Sequence, residues 1–393
     1  MTATPKGFKF ATVNAGFRQT QRDDIALIVS ETPAVTAALF TQAAFVAAPV
    51  LVGRELMRDP GGKRAVLVNT GQANACTGEE GLANCRETLR LVGSALGIDA
   101  ARILPASTGV IGAQMNMELW EKAARPLAAK LGTVSIEGVA DAIRTTDSFA
   151  KFGGATVALE GGTATLAGVA KGAGMICPNM ATMICVILCD AAVAPATWQA
   201  LFKDAVDKTF NRVTVDGDTS TNDTVYGLAN GASGVRVTEK DVPALRGALV
   251  DLLGSLAYML VQDGEGATKV MRIAVTGARD DADAEKVART VGHSQLVKTA
   301  MYGKDANWGR IIAAVGRSGA AFAAKDVRMS LCGVELFRDE QPTGIDFDAL
   351  LREPLEGRDI AVDISLGSGK GSCTLLASDL THKYVDINAD YRS

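Results

Sequence analysis

Apolar positions along the chain change period repeatedly, and the changes mark out interleaved strands and helices. Residues 65–69 (Ala-Val-Leu-Val-Asn) form a short apolar run ended by the polar loop Thr70-Gly71-Gln72-Ala73-Asn74, which is the pattern of a buried strand. From 80 to 96, Leu82, Cys85, Leu89, Leu91 and Leu96 fall at mostly helical spacing. Similar patterns predict helices over 117–131, kinked at Pro126, and over 196–210, where Pro195 suits the first turn; two more are predicted over 242–261 and 284–302. Segments 155–160 and 163–169 flank Gly161-Gly162, a hairpin signal, because both turn positions accept positive φ. Late strands are predicted over 272–276, 327–336, 359–364 and 373–378. The chain therefore reads as mixed α/β with hairpins, and a second, smaller lobe is expected from 272 to 393 after a catalytic domain spanning 1–271.

Composition narrows the chemistry. The chain has 393 residues, 48% of them hydrophobic, enough for substantial cores and too apolar for a disordered polymer. A formal net charge of -4 leaves no broad basic footprint for nucleic acid. The longest uncharged run, 172–189, contains Gly172, Gly174, Pro178 and Asn179, so only 183–189 is solidly apolar, and it reads as a buried strand and not a membrane span. No signal peptide is legible at the N-terminus, and the seven cysteines, odd in number and without a C-x-x-C pair, suit reduced cytoplasmic thiols. Cys185 and Cys189 on one strand stand roughly 13 Å apart at about 3.3 Å per residue, too far to share a metal or a disulfide. With only two histidines, His293 and His382, neither histidine base chemistry nor a histidine metal site has much to work with, and no metal is expected.

One segment offers another route. Lys171-Gly172-Ala173-Gly174-Met175-Ile176-Cys177-Pro178-Asn179-Met180-Ala181 runs into a β-branched strand beginning at Thr182. By composition alone this is an ordinary loop entering a buried strand. Its functional reading is a self-cleaving N-terminal nucleophile, in which Thr182 Oγ attacks the Ala181 carbonyl, the ester hydrolyses and a new chain begins at Thr182. The free α-amine, with an unperturbed pKa near 7.7–8.0, then serves as general base to the hydroxyl of the same residue.

The motifs Lys171–Ile176 and Pro178–Met183 resemble the signature of the ornithine acetyltransferase (glutamate N-acetyltransferase) family of arginine biosynthesis. Further landmarks follow in order at 69–78, 107–112, 145–147, 214–224, 263–269, 307–310 and 388–393, so the resemblance spans essentially the whole chain. It implies an N-terminal-nucleophile-like αββα sandwich, cleavage between Ala181 and Thr182 into chains 1–181 and 182–393, and acetylation of Thr182 during turnover. It further implies that Thr108 and Gly109 form the oxyanion hole and that Thr145, Lys171, Thr182, Glu265, Asn388 and Ser393 hold substrate. The implied reaction is ping-pong: N-acetylornithine acetylates Thr182 and ornithine leaves, then glutamate takes the acetyl group as N-acetylglutamate. No cofactor is implied, with acetyl-CoA open as a second acetyl donor, and the two chains are expected to stay together as a heterotetramer of cleaved units. An amidase or aminopeptidase on the same self-cleaving scaffold is the alternative reading.

Two other motifs fail on inspection. Gly367-Ser368-Gly369-Lys370-Gly371-Ser372 looks like a phosphate loop, but Ile364 stands where its first glycine belongs and Gly371 follows the lysine, so a turn between late strands is expected. Asp216-Gly217-Asp218-Thr219-Ser220 suggests calcium, yet Thr221 replaces the sharp-turn glycine and Gly227 the bidentate glutamate.

Overall fold

The computed structural model describes residues 3–18, 21–177 and 183–390. Ala181, Thr182 and Ser393, three of the expected site positions, lie outside the described residues. The chain forms two units: the first comprises Met1–Asn211, Asp218–Leu260 and Arg392–Ser393, and the second combines Arg212–Gly217 with Val261–Tyr391.

In the first unit, strands β1 (Phe8–Val13), β2 (Ile25–Phe40), β3 (Lys63–Asn69), β4 (Ile103–Ser107), β5 (Lys151–Leu159), β6 (Gly162–Lys171) and β7 (Ile184–Cys189) precede β8 (Val213–Thr214), which joins the second unit, and β9 (Thr224–Ala229) returns to the first. Their order is β4-β3-β2-β9-β7-β6-β5, with β1 also paired to β2. The long β2 serves two layers. Its first half pairs β3 from Ile25↔Asn69 to Val29↔Ala65 and its second half pairs β9 from Val35↔Ala229 to Phe40↔Thr224. The ladder to β3 shifts between Val29 and Ala34, a stretch containing Pro33, which has no N–H to give.

Period-2 alternation then sorts the side chains. Ile28, Val66, Val68, Leu104 and Ala106 from the first layer share a core with Val169, Val186, Leu188, Tyr226 and Leu228 from the second. The alternate residues Ile25, Leu27, Val29, Ala65, Leu67 and Ile103 face outward. They pack on helices α1 (Ala48–Leu56), α2 (Gly78–Leu96) and α3 (Met117–Ala129), while α4 (Ile136–Ala142) contributes to the core between the layers. Against the second layer lie α5 (Pro195–Lys208) and α6 (Val242–Gln262). Trp198 Nε1 donates to Gly227 O at 2.9 Å, and an added Cβ on Gly168 would lie 3.0 Å from Leu256. The result is the expected helix–sheet–sheet–helix sandwich.

By length and composition, the α6 region is apolar enough to cross a membrane. Leu245, Leu249, Leu253, Leu256 and Leu260 are nonetheless buried in the protein, as in a core helix. The uncharged run singled out in the sequence is, where described, a loop followed by β7.

The second unit is a sheet ordered β13-β12-β11-β14-β10-β15-β8, built from β10 (Val270–Ala278), β11 (Arg328–Leu331), β12 (Val334–Arg338), β13 (Gln341–Pro342), β14 (Asp359–Ser365) and β15 (Gly371–Ser378). Its helices are α7 (Asp281–Gly292), α8 (Gln295–Tyr302), α9 (Trp308–Gly316), α10 (Phe347–Leu351) and α11 (His382–Asp390). The lobe boundary expected at 271/272 falls inside β10. Three local expectations change. The helix over 284–302 is two helices, because Ser294 caps a new one by accepting the Val297 N–H at 3.4 Å. The strand over 327–336 is a hairpin turning at Cys332-Gly333, both with positive φ (47° and 79°), the left-handed pair that tight hairpins favour. The β5–β6 turn centres on Glu160-Gly161, since Leu159 already pairs with Gly162. The glycine-rich segment 367–370 is, as expected, the connection between β14 and β15.

Candidate active site

Sheet register brings sequence-distant residues to one end of the first unit. Lys171 at the end of β6 pairs with Ile184 at the start of β7, and Ile184 pairs with Thr224 at the start of β9. Met183, the first described residue after Thr182, therefore leads into the sheet between Lys171 and Asp223. The loops after β3 and β4 close in beside them. Asn222 Nδ2 donates to Ala73 O at 2.6 Å and Ser107 O at 2.9 Å, and Ser107 Oγ donates to Asn69 Oδ1 at 2.6 Å.

These bonds fix the turn holding Thr108 and Gly109. Thr108 N donates to Asn69 O at 3.0 Å, and Val110 N donates to Gly71 O at 3.2 Å. Gly109 has φ +135°, and a Cβ there would sit 2.3 Å from the Gly71 carbonyl carbon, so no other residue fits without moving that loop. Lys171, 8% exposed, reaches over with Nζ 3.3 Å from Thr108 Oγ1. Three of the expected site residues, Thr108, Gly109 and Lys171, thus share one locale.

Thr145, the fourth described in this unit, is tied to the same locale through Asp147. The Asp147 carboxylate accepts Gly172 N and Lys151 Nζ, each at 2.7 Å, on Oδ1, and Thr145 N at 2.9 Å on Oδ2. The side chains of Lys151 and Asp147 are fully buried. Burial works against the charge of Asp147, but the ammonium groups of Lys171 and Lys151 and these hydrogen bonds outweigh it and hold the carboxyl well below the usual carboxylate range. From outside, Arg18 and Arg22 donate to the Arg144 carbonyl at 2.5 and 2.7 Å, and Arg18 also to the Thr145 carbonyl at 3.2 Å.

In the second unit, Glu265 and Asn388 meet directly, Asn388 Nδ2 donating to Glu265 Oε2 at 2.8 Å. Gly266 (φ +70°) lets this loop pass against α11, since a Cβ would lie 2.7 Å from Tyr384 N. Thr381 Oγ1 donates to Gly266 O at 2.8 Å, and Asp379 accepts Thr268 N at 2.9 Å and Lys269 N at 3.1 Å. His293 ends α7, where burial and then the neighbouring cations Arg289, Lys298 and Arg317 lower its pKa to about 4. His382 opens α11 and packs edge-on against Tyr302.

Asp147, Lys151, Arg18, Asn222 and Asp223 were not singled out as site residues from the sequence. Asp147, Asn222 and Asp223 lay inside quoted motifs. The available signal was charge and amide in otherwise apolar surroundings, but only the sheet register says which of them meet.

A helix–sheet–sheet–helix sandwich in which a buried lysine at a strand end meets a tight glycine turn has the architecture of an N-terminal-nucleophile type of acyl-transfer enzyme. Comparison with known proteins agrees. The ArgJ family model matches residues 9–393. The arginine biosynthesis bifunctional protein ArgJ of Nitratidesulfovibrio vulgaris is 67% identical over 393 residues, covering 100% of both chains. That of Geobacter sulfurreducens is 45% identical over 391 residues, covering 99% of both. A crystal structure of the arginine biosynthesis bifunctional protein argJ from Bacillus halodurans matches with TM-score 0.50 and 38% identity, over 51% of this chain and 96% of that one. The chain belongs to the ArgJ family, the bifunctional ornithine acetyltransferases of arginine biosynthesis.

Proposed function

We propose that the chain cleaves itself between Ala181 and Thr182 and that Thr182 then carries an acetyl group from N-acetylornithine to glutamate. The observation that carries this reading is the convergence of Lys171 Nζ and Thr108 Oγ1, 3.3 Å apart, beside the start of β7 at Ile184, two positions after Thr182 in the sequence. In the first half-reaction Thr182 Oγ attacks the acetyl carbonyl. The Thr108 hydroxyl and the Gly109 N–H receive the developing oxyanion, and the α-amine of Thr182 takes the hydroxyl proton and returns it to the departing ornithine. Glutamate repeats the sequence in reverse. The amide broken and the amide made are alike, so the exchange needs no energy input, and acetyl-CoA as donor would enter through the same ester.

Thr145, Lys171, Glu265, Asn388 and Ser393 are assigned to substrate along with Thr182. In this reading Glu265 faces ammonium groups, while Lys171 or the Asn388/Ser393 pair faces carboxylates. The enzyme works in the cytoplasm, as a dimer of cleaved units. The test is a pulse of N-acetylornithine followed by mass analysis: an O-acetyl group should appear on the peptide that begins at Thr182 and should leave on addition of glutamate. Acetate release that ignores glutamate would instead favour a hydrolase.

The sheet explains why cleavage would not separate the products. Strands β7 and β9, both downstream of the cut, lie between β2 and β6, both upstream of it. Each flanking pair has six paired positions. The two chains should therefore elute together in native chromatography and separate only in denaturant; separate native elution would contradict the reading. The length of the Bacillus halodurans chain, matching about half of this one, supports it too.

For the oxyanion turn, Gly109→Ala should lower kcat by about 10²–10³-fold, as loss of an oxyanion donor does elsewhere. Its added Cβ has no room beside Gly71. Transfer kinetics of the purified variant check this, and an unchanged kcat would remove Gly109 from the role.

A further inference from the structure

Asp223 opens β9 and is 2% exposed. Thr41 N donates to its carbonyl at 2.9 Å, and the next residue, Thr224, donates its N–H to Met183 O at 2.9 Å. Its side chain is anomalous. The Met183 and Ser220 N–H groups lie by the carboxyl, and the nearby Thr41 hydroxyl donates to the Ser220 carbonyl at 2.7 Å. Yet Oδ2 is buried with no hydrogen-bond partner among the described residues. A buried polar atom left without a partner typically costs about 1–3 kcal/mol, more if charged, so its persistence calls for a use.

Its position indicates that use. In the parallel β7–β9 ladder, Ile184↔Thr224 places Met183 opposite Asp223. Met183 follows Thr182 directly in the chain, so a carboxyl at the Met183 amide faces the residue next to the one whose amide nitrogen is released on cleavage. We propose that the carboxyl group of Asp223 is the proton carrier of the self-cleavage reaction, delivering a proton to the amide nitrogen of Thr182 as the Ala181–Thr182 bond breaks. The Thr182 Oγ–C bond forms, the C–N bond breaks, and the nitrogen leaves as an amine with the Asp223 proton. The threonine hydroxyl proton passes to the resulting carboxylate and restores the acid. Water then hydrolyses the ester, leaving a carboxylate at Ala181 and a free hydroxyl at Thr182.

The environment keeps that proton available. Burial pushes the Asp223 carboxyl well above the usual carboxylate range, against the opposing pull of the Met183 N–H, the Lys171 ammonium, the Ser220 N–H and the Thr41 hydroxyl. A carboxyl group whose pKa is raised on folding costs stability above its unfolded pKa. A purely structural Asp223 has no reason to bear that cost.

The inference rests on the cleavage reading above, and one experiment separates the two. Parent chain and Asp223→Asn are expressed at full length, and the two fragments are followed over time by intact mass beside urea unfolding midpoints. Asparagine keeps the shape and the neutral charge but has no acidic proton. The expected result is cleavage slowed by about 10²–10⁴-fold, the range of general acid catalysis, with a urea midpoint equal to or above that of uncleaved Thr182→Ala. Cleavage of Asp223→Asn within a few-fold of the parent would overturn the assignment while leaving self-cleavage intact. A lower midpoint would overturn it as well, because Asp223 would then be a structural group. A parent chain that stays whole would overturn the cleavage reading itself, and this inference with it.

Discussion

Thr182→Ala should remain a single chain of 393 residues and lose acetyl transfer altogether. Two roles vanish with one hydroxyl. The precursor has no nucleophile for the Ala181 carbonyl, and even a pre-cut chain would have no atom to carry the acetyl ester. Loss of a catalytic nucleophile costs on the order of 10⁶ in kcat in a well-measured protease, and a comparable loss is expected here. Denaturing electrophoresis reads the first effect and a glutamate-dependent assay the second. The effects are separable in Thr182→Ser, which keeps a hydroxyl and an α-amine and should still be cleaved. Normal turnover by the alanine variant would remove Thr182 from its place in the reaction.

The second large effect concerns stability. Asp147→Asn should destabilise the first unit by about 3–5 kcal/mol, the usual cost of removing one partner from a buried ion pair. The variant leaves the Lys151 ammonium in a site with no solvent exposure, and withdraws the opposite charge that Lys171 also feels. It also weakens the anchors at Thr145 N and Gly172 N, so activity should fall with stability. The pH dependence has a definite sign. The folded-state pKa of Asp147 lies below its unfolded value, so its contribution is complete above the unfolded pKa of 3.8 and is lost as pH falls through the folded one. Acid unfolding of the parent should therefore include a proton uptake, below about pH 4, that the asparagine variant lacks. Urea unfolding at pH 7 and pH 3 checks both statements, and equal stability of the two proteins at pH 7 would refute the ion-pair account.

Much of the fold was legible because its elements announce themselves locally. The helices at 117–129, 195–208 and 242–262 came through by periodicity, and the β5–β6 hairpin through its glycines. The failures were local too. A one-residue cap at Ser294 broke a helix that hydrophobic spacing made continuous. Cys332 adopted a positive φ that a cysteine rarely signals. Strand β2 escaped notice because, lying in two layers and crossing a proline, it has no single alternation to recognise.

The site divides in the same way. By itself the sequence determined the chemistry: a threonine after a glycine-rich loop, in a chain with two histidines, together with ordered motifs specific enough to identify the family. Those motifs are contiguous, so reading them needs no knowledge of which strands touch. Only the tertiary structure decided the company each residue keeps. Lys171 meets Thr108 because β6 and β4 end at the same side of the first unit, and Asp147 is charged because Lys151 and Lys171 reach it. Asp223 stands opposite Met183 because β9 pairs in parallel with β7. Its buried, half-unpartnered carboxyl follows from that register, and charge placement across strands cannot be read from one strand alone.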